Sequence, residues 1–290
     1  MTTLASLLNA DTPVLAPLVL GPLSACLAQR AGFKAIYLGG GGMGYDKCVT
    51  EANLNVSEMC QAAMDIRAVC DLPLILDAAG GWGDAMHMRR TVRLAEAAGF
   101  SAIEIEDQQL PKRAHHHIGI DHPITKEEMV DKVREAVRAR RHPDFLIIAR
   151  TNVARENLDE AIERAAAYKA AGADLLFVLS WDRAQLQEIG RRLPAPLMFM
   201  TGVGGIAQMP MPAAELAHCN VRLIVDPVTP QLAMHRALCA SYAAMAAQRP
   251  DPLIGSDGPE EMAALQQTVD LEALLAIERR SNAGDGAEPA

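Results

Sequence analysis

Aromatic side chains are scarce in this chain: Phe, Trp and Tyr make up 4% of its 290 residues. Its core must therefore be largely aliphatic, drawn from the abundant Ala and Leu. The six cysteines (Cys26, Cys48, Cys60, Cys70, Cys219 and Cys239) form no C-x-x-C pair. They read as reduced thiols used mostly in packing. No run of about 18 apolar residues marks a helical membrane span. No cationic start followed by an apolar stretch marks a signal peptide, so a cytoplasmic protein is the expectation. Positive charge is also in deficit, with 27 Lys and Arg against 36 Asp and Glu, a net charge of -9. That balance argues against a nucleic-acid or membrane-surface partner. It leaves room for a small anionic substrate, because a local site can differ in sign from the whole.

What is present is 50% hydrophobic and 22% charged, the composition of an ordinary globular chain long enough for one large core. Short apolar runs recur at Val14–Leu20, Ala35–Leu38, Leu72–Ala78, Ala102–Asp107, Phe145–Thr151, Asp174–Ser180, Pro196–Thr201 and Arg222–Asp226. Between them lie segments with helical spacing: Leu23–Ala31, Ser57–Val69 with Ser57 as N-cap, Ala85–Ala98, a helix capped by Thr125 and Glu128, Leu158–Ala171, Asp182–Arg192, and one from about Gln231 to Ala247. A weak repeat runs through RAGFKAIYL, AAGFSAIEI and AAGADLLFV, each a helix end, a glycine and a strand. Eight buried-type strands alternating with helices predict an α/β fold, a (β/α)8 barrel, with a doubly wound open sheet as the alternative.

The barrel domain is expected over residues 1–249. Residues 250–281 form a turn-rich linker and one or two C-terminal helices with an apolar stripe of Leu271, Leu274, Leu275 and Ile277, and 282–290 a disordered tail. The stripe must be buried against the barrel or a neighbouring subunit.

The chemistry concentrates between Leu74 and His117. Leu74-Ile75-Leu76 ends in Asp77, and Ile103-Glu104-Ile105 ends in Glu106-Asp107. Carboxylates at the C-terminal ends of parallel strands sit where such folds carry their sites. Lys112, Arg113 and the histidines His115, His116 and His117 follow on a polar connection. Acidic strand ends beside a basic loop suggest a cation and an anionic substrate. Three consecutive histidines seldom face one ion, so a general acid or base among them is a better reading than a zinc cluster. Gly39–Gly42 at a strand end allow close backbone approach to a ligand. Arg150 reads either as an anion holder or as a structural ion pair with Glu106 or Asp77.

These pieces, YLGGGG at Tyr37–Gly42, DAAGGWG at Asp77–Gly83, EDQ at Glu106–Gln108, Lys112-Arg113 and IIARTN at Ile147–Asn152, occur in the order found in the isocitrate lyase/phosphoenolpyruvate mutase superfamily, which the chain resembles from Val14 to its C-terminal helices. The resemblance implies a (β/α)8 barrel whose eighth helix is often exchanged between subunits of a homodimer or homotetramer. It implies Mg2+ or Mn2+ and bond cleavage in 2-oxo or 2-hydroxy acids through an enolate. It assigns the metal to Asp77 and Glu106. It assigns substrate contacts to Tyr37, Gly39, Gly40, Gly41 and Arg150, with Asn152 and Thr201 counted beside them, and a gating loop to Lys112 and Arg113.

The departures are informative. Where the family reads Asp-x-Asp, the second position is Ala79; Asp84 is a nearby carboxylate that could compensate. A further family Asp corresponds to Asn53. The lyases carry a Cys acid on the gating loop, but Lys112-Arg113-Ala114-His115-His116 has no thiol. ARTN at Ala149–Asn152 and PLMFMT at Pro196–Thr201 are similar to the oxaloacetate decarboxylase branch. The expected activity is therefore a metal-dependent carbon–carbon lyase or decarboxylase acting on a small 2-oxo or 2-hydroxy di- or tricarboxylate. The alternatives are retro-aldol cleavage of a substituted malate or methylisocitrate with His115 or His116 as acid, a P–C mutase, and a metal-free barrel that binds a metabolite.

Overall fold

The computed structural model describes residues 2–193 and 195–281, so the tail expected from residue 282 lies outside the described residues. Eight strands appear in chain order: β1 (Val14–Pro17), β2 (Ile36–Leu38), β3 (Leu74–Asp77), β4 (Ala102–Glu106), β5 (Leu146–Thr151), β6 (Leu175–Val178), β7 (Leu197–Met200) and β8 (Val221–Asp226). All pairs are parallel, in the order β1-β8-β7-β6-β5-β4-β3-β2. The row meets itself where Leu18 bridges Tyr37 and the Val19 N–H donates to the Tyr37 carbonyl at 2.9 Å. The expected (β/α)8 barrel is therefore the observed fold.

The helices are α1 (Leu4–Leu7), α2 (Pro22–Arg30), α3 (Gly40–Asp46), α4 (Val56–Arg67), α5 (Ala85–Ala97), α6 (Lys126–Ala139), α7 (Leu158–Ala170), α8 (Arg183–Arg192), α9 (Ala213–His218), α10 (Thr229–Ala246), α11 (Gly258–Thr268) and α12 (Leu271–Ser281). The helix–glycine–strand repeat has a backbone cause. Gly32, Gly99 and Gly172 follow α2, α5 and α7 with φ of +90°, +89° and +110°, the left-handed conformation that ends a helix most cheaply at glycine. At α4 the cap differs from expectation. Asn55, not Ser57, accepts from the Ser57 and Glu58 N–H groups, and Glu58 bonds back to the Asn55 N–H. Thr125 and Glu128 do form the expected capping box of α6.

Strand residues alternate between two cores. Ile103 and Ile105 of β4 point outward with Leu74, Leu76 and Ile147, against Met88 and Val92 of α5 and Met129 and Val133 of α6. Ala102 points inward with Tyr37, Ile75, Ile148, Phe177, Met198 and Val225. Replacing the fully buried Ile103 by Ala should cost about 2–5 kcal/mol. The same alternation turns Glu104 and Glu106 inward, so the barrel's polar contents are set by its strand register.

By their internal contacts the described residues separate into one compact unit up to Gln231, which holds the barrel, and a second from Leu232 onward. The second comprises most of α10 with α11 and α12. In α12, Leu274, Leu275 and Ile277 of the expected apolar stripe are exposed. Among the described residues no helix is long and apolar enough to cross a membrane.

Candidate functional site

The C-terminal ends of β2 to β5 gather a charged cluster. Parallel register sets Asp77 of β3 beside Glu104, and Glu106 of β4 beside Arg150 of β5. Loops add Glu51 from a turn at Glu51–Asn53, Lys112, and His116 from a turn at Ala114–Ile118. All but His116, which is half-buried, are buried.

Two layers of polar contacts order the cluster. Deeper in the barrel, the Tyr37 hydroxyl donates to Glu104 Oε2 at 2.9 Å, and Arg150 Nη1 donates to Glu104 Oε1 at 2.8 Å. Arg150 Nε donates to Asn152 Oδ1 at 2.9 Å and lies 3.4 Å from Glu106 Oε2, while its guanidinium stands 5.0 Å over the Phe177 ring. Above it, Lys112 Nζ pairs with Glu106 and lies 2.6 Å from Glu51 Oε1. His116 Nε2 is 3.5 Å from the same Glu51 oxygen, and its Nδ1 is 3.1 Å from Asp121 Oδ1. Asp121 also accepts from Gln108, Asn152 and Arg155, so it ties the loop to β5.

Charge and burial pull these groups apart in pKa. Burial and then the charge of Asp77 push Glu104 up to about 7, against the pull of Arg150 and the Tyr37 hydroxyl. Burial raises Tyr37 well above its ordinary value too, with Asp77 and Glu104 adding to it. Burial acts upward on Glu106 as well, but Lys112 and Arg150 outweigh it and hold this carboxylate well below the usual range. Burial lowers Lys112, yet Glu106 and Glu51 more than restore its charge. At neutral pH the cluster thus holds Glu106 as an anion facing a secured ammonium.

Most expected site residues converge here. Tyr37, Asp77, Glu106, Lys112, His116, Arg150 and Asn152 lie in the cluster or bond to it. Gly39 caps α3, and Gly40 and Gly41 form its first turn rather than a free loop. The Gly40 N–H donates to Asp77 Oδ2 at 3.0 Å, and a Cβ on Gly40 would lie 3.0 Å from Glu51 Oε2 and 3.4 Å from Asp77 Oδ2. A methyl at this position would crowd both carboxylates. Thr201 is buried just beyond β7, and its hydroxyl has no hydrogen-bond partner.

Arg113 and His115 are exposed, and His115 faces His122 rather than the cluster. His117 bonds to the Tyr45 hydroxyl. Asp84 does not compensate for Ala79: it caps α5 by accepting from the Met86 N–H and pairs with His87. Asn53 is exposed and bonds to Thr50, while Glu51, two residues earlier, supplies the inward carboxylate. Ala79 stands at φ +47° and donates its N–H to Asp77 Oδ1 at 2.9 Å.

Sequence reasoning missed Glu51, Glu104 and Asp121 as site residues. Glu104 carried a signal, because it shares a strand face with Glu106. The other two come from irregular turns whose long-range placement leaves no local pattern.

The donor chemistry suits a hard divalent cation. One donor atom from each of Glu51, Glu106 and His116 lies within 4.8 Å of the others, and Asp77 stands across Gly40 from Glu51. Glu106 Oε2 is buried without a hydrogen-bond donor. Carboxylate oxygens in this number match the ligand preference of Mg2+ or Mn2+.

Comparison with known proteins agrees with this geometry. The family model for phosphoenolpyruvate phosphomutase matches residues 4–247. A 2,3-dimethylmalate lyase of Eubacterium barkeri is 34% identical over 229 residues, covering 76% of this chain and 77% of its own. A 2-methylisocitrate lyase of Escherichia coli (strain K12) is 39% identical over 219 residues, 73% of each chain. Among solved structures, a phosphonopyruvate hydrolase complexed with oxalate and Mg2+ superposes with a TM-score of 0.82 at 26% identity, covering 96% of this chain and 97% of that one.

Proposed function

The chain belongs to the phosphoenolpyruvate phosphomutase family and is a carbon–carbon lyase, and from that premise we propose that it decarboxylates a small 2-oxo dicarboxylate, in the manner of an oxaloacetate decarboxylase, with Mg2+ or Mn2+ as cofactor. The observation that carries this reading is a barrel mouth with clustered carboxylates and two buried cations but no thiol. None of the six cysteines belongs to the cluster. Retro-aldol cleavage needs a base for the 2-hydroxyl and an acid for the departing enolate. Loss of carbon dioxide needs neither for bond breaking.

Asp77, Glu106 and Glu51 are the residues that would hold the cation, and His116 stands beside them as a proton carrier. Bound there, the cation supplies positive charge beside the substrate's 2-oxygen, where negative charge develops. The substrate carboxylate meets Arg150 and the N–H groups of Gly41 and Gly42, which lie in the first turn of α3 and have no intrahelical acceptor. Glu104, Asn152 and the Phe177 ring fix the guanidinium so that little ordering remains when substrate arrives. As the bond to the leaving carboxylate breaks, its electron pair moves between C2 and C3 and an enolate remains. His116, held between Glu51 and Asp121, then delivers a proton to C3. Lys112 keeps Glu51 and Glu106 oriented. Assembly as a homodimer or homotetramer and a cytoplasmic site of action belong to the same reading.

The placement of His116 also favours a second reading, retro-aldol cleavage of a substituted malate with this histidine in place of the thiol acid. Product analysis separates the two. Carbon dioxide with a monocarboxylate from oxaloacetate supports the first, and two carboxylate fragments from an alkylmalate support the second. Asp77→Ala turning over as fast as wild type, or indifference to a chelator, sinks both.

A further inference from the structure

The loop that carries His116 closes on itself at its base. The Gln109 N–H donates to the His122 carbonyl at 2.7 Å, the His122 N–H to Gln108 Oε1 at 3.0 Å, and the Ile124 N–H to the Asp107 carbonyl at 2.9 Å. Asp121 stands at this neck with its side chain 9% exposed, and its oxygens gather four donors. Oδ1 accepts from Gln108 Nε2 at 3.1 Å and from Asn152 Nδ2 at 3.0 Å, and it lies 3.1 Å from His116 Nδ1. Oδ2 accepts from Arg155 Nη1 at 3.0 Å. Burial works against the charge, but the bonds from His116 and Asn152 and the charge of Arg155 hold the pKa down to about 2, so this carboxylate only accepts.

Asn152 joins Asp121 to the substrate side. Its Oδ1 accepts from Arg150 Nε at 2.9 Å, while its Nδ2 donates to Asp121. A guanidinium only donates and a carboxylate only accepts, so these two neighbours leave the amide one orientation. The same rule settles the histidine. Against Asp121, Nδ1 carries the hydrogen, and Nε2, 3.5 Å from Glu51, is the nitrogen that faces the cluster. We propose that Asp121 and Asn152 are a positioning pair, which fixes the ring nitrogen that His116 presents and locks its place to the guanidinium that meets the substrate carboxylate. Three hydrogen bonds in series make the carboxylate holder and the proton carrier one unit, so a substrate seated on Arg150 finds Nε2 already placed. The inference rests on the reading of His116 as the proton carrier. It also moves Asn152 from substrate contact to support, because its amide serves Arg150 at one end and Asp121 at the other.

The test follows hydrogen exchange at C3. A group that protonates C3 of the enolate also removes a proton from C3 of the product. Pyruvate with Mg2+ in D2O therefore exchanges its methyl hydrogens through His116 Nε2, each lost proton replaced by a solvent deuteron. Proton NMR reads the rate in wild type, Asp121→Ala and Arg155→Met, and calorimetry reads oxalate affinity in each. Nitrogen-15 shifts of the His116 ring, assigned by their loss in His116→Gln, read which ring nitrogens carry hydrogen. In wild type Nδ1 should carry one. Exchange in Asp121→Ala should be about 10²-fold slower, with oxalate affinity within about threefold of wild type. Arg155→Met should stay within about threefold in both, because it loses the Oδ2 partner and keeps the acceptor for His116. A bare Nδ1 in wild type, exchange undiminished in Asp121→Ala, or an equal loss in Arg155→Met overturns the pair and leaves His116 standing as the proton carrier. Loss of oxalate binding in Asp121→Ala overturns it too, because Asp121 then supports the whole site. Absence of exchange in wild type with oxalate still bound removes the proton-carrier reading and the pair together.

Discussion

Glu104 is an unusual occupant of a barrel interior, and its replacement by Gln gives a sharp prediction. The side chain is almost fully buried on the inward face of β4, between the Tyr37 hydroxyl and the Arg150 guanidinium. Its pKa rises from 4.5 in the unfolded chain to about 7 in the fold, because burial and Asp77 outweigh the help of Arg150. Between those values the native state keeps a proton that the unfolded chain has released, so stability falls as pH rises from 4.5 to 7. At about 1.36 kcal/mol per unit, the ionised carboxylate costs on the order of 3 kcal/mol above pH 7 and nothing below 4.5. Gln keeps the shape and an acceptor for Tyr37 without the charge. In metal-free buffer, Glu104→Gln should therefore be the more stable protein at pH 8 by about 3 kcal/mol, and the difference should vanish towards pH 4.5. Urea unfolding at several pH values, with unchanged m, reads this as a shift in midpoint. A difference that is independent of pH, or a variant less stable at pH 8, refutes the electrostatic argument.

Other perturbations test neighbouring contacts. Lys112→Met leaves Glu51 and Glu106 buried without their ammonium, and should cost about 3–5 kcal/mol. Thermal scanning should show a drop on the order of 10 °C, with Mg2+ restoring more in the variant than in wild type. Gly40→Ala places a methyl 3.0 Å from Glu51 Oε2, so metal affinity should fall by about 10–100-fold, as read by titration of Mn2+. Affinity within twofold of wild type would mean that those carboxylates do not act together. Arg150→Lys exchanges a planar fork, fixed by Glu104 and Asn152, for a point charge. Its kcat/KM should fall by about 10²–10³ with the fold intact by circular dichroism, and a loss under threefold would remove Arg150 from substrate binding.

The barrel was legible in the sequence because its signals are local. Eight short apolar runs and three glycines at helix ends carry both the strand count and the repeat. The site was legible where a strand carries it: Asp77 and Glu106 end β3 and β4, and Tyr37 and Arg150 stand one residue before the ends of β2 and β5. Legibility failed where tertiary packing overrode local preference. Four glycines at 39–42 read as a loop, because glycine is a poor helix former. They cap and begin α3, and close packing keeps side chains out: a Cβ on Gly42 would lie 3.0 Å from Leu18, and one on Gly44, in the same helix, 2.6 Å from the Glu51 backbone. Glu51 and Asp121 reach the cluster only through that packing, so no spacing rule could place them. The cap of α4 is itself local: Asn55 with Glu58 three residues on has the spacing of a capping box, two residues before the expected Ser57.

The central claim is that the cluster at the ends of β3 and β4 holds a divalent cation beside an oxo-acid. Calorimetric titration of Mg2+ and Mn2+, with and without oxalate as an enolate mimic, on wild type and Asp77→Ala, tests it directly. The account predicts that oxalate strengthens metal binding to wild type and that this enhancement disappears in Asp77→Ala. Absence of metal binding in both proteins, or enhancement untouched by the substitution, would contradict it.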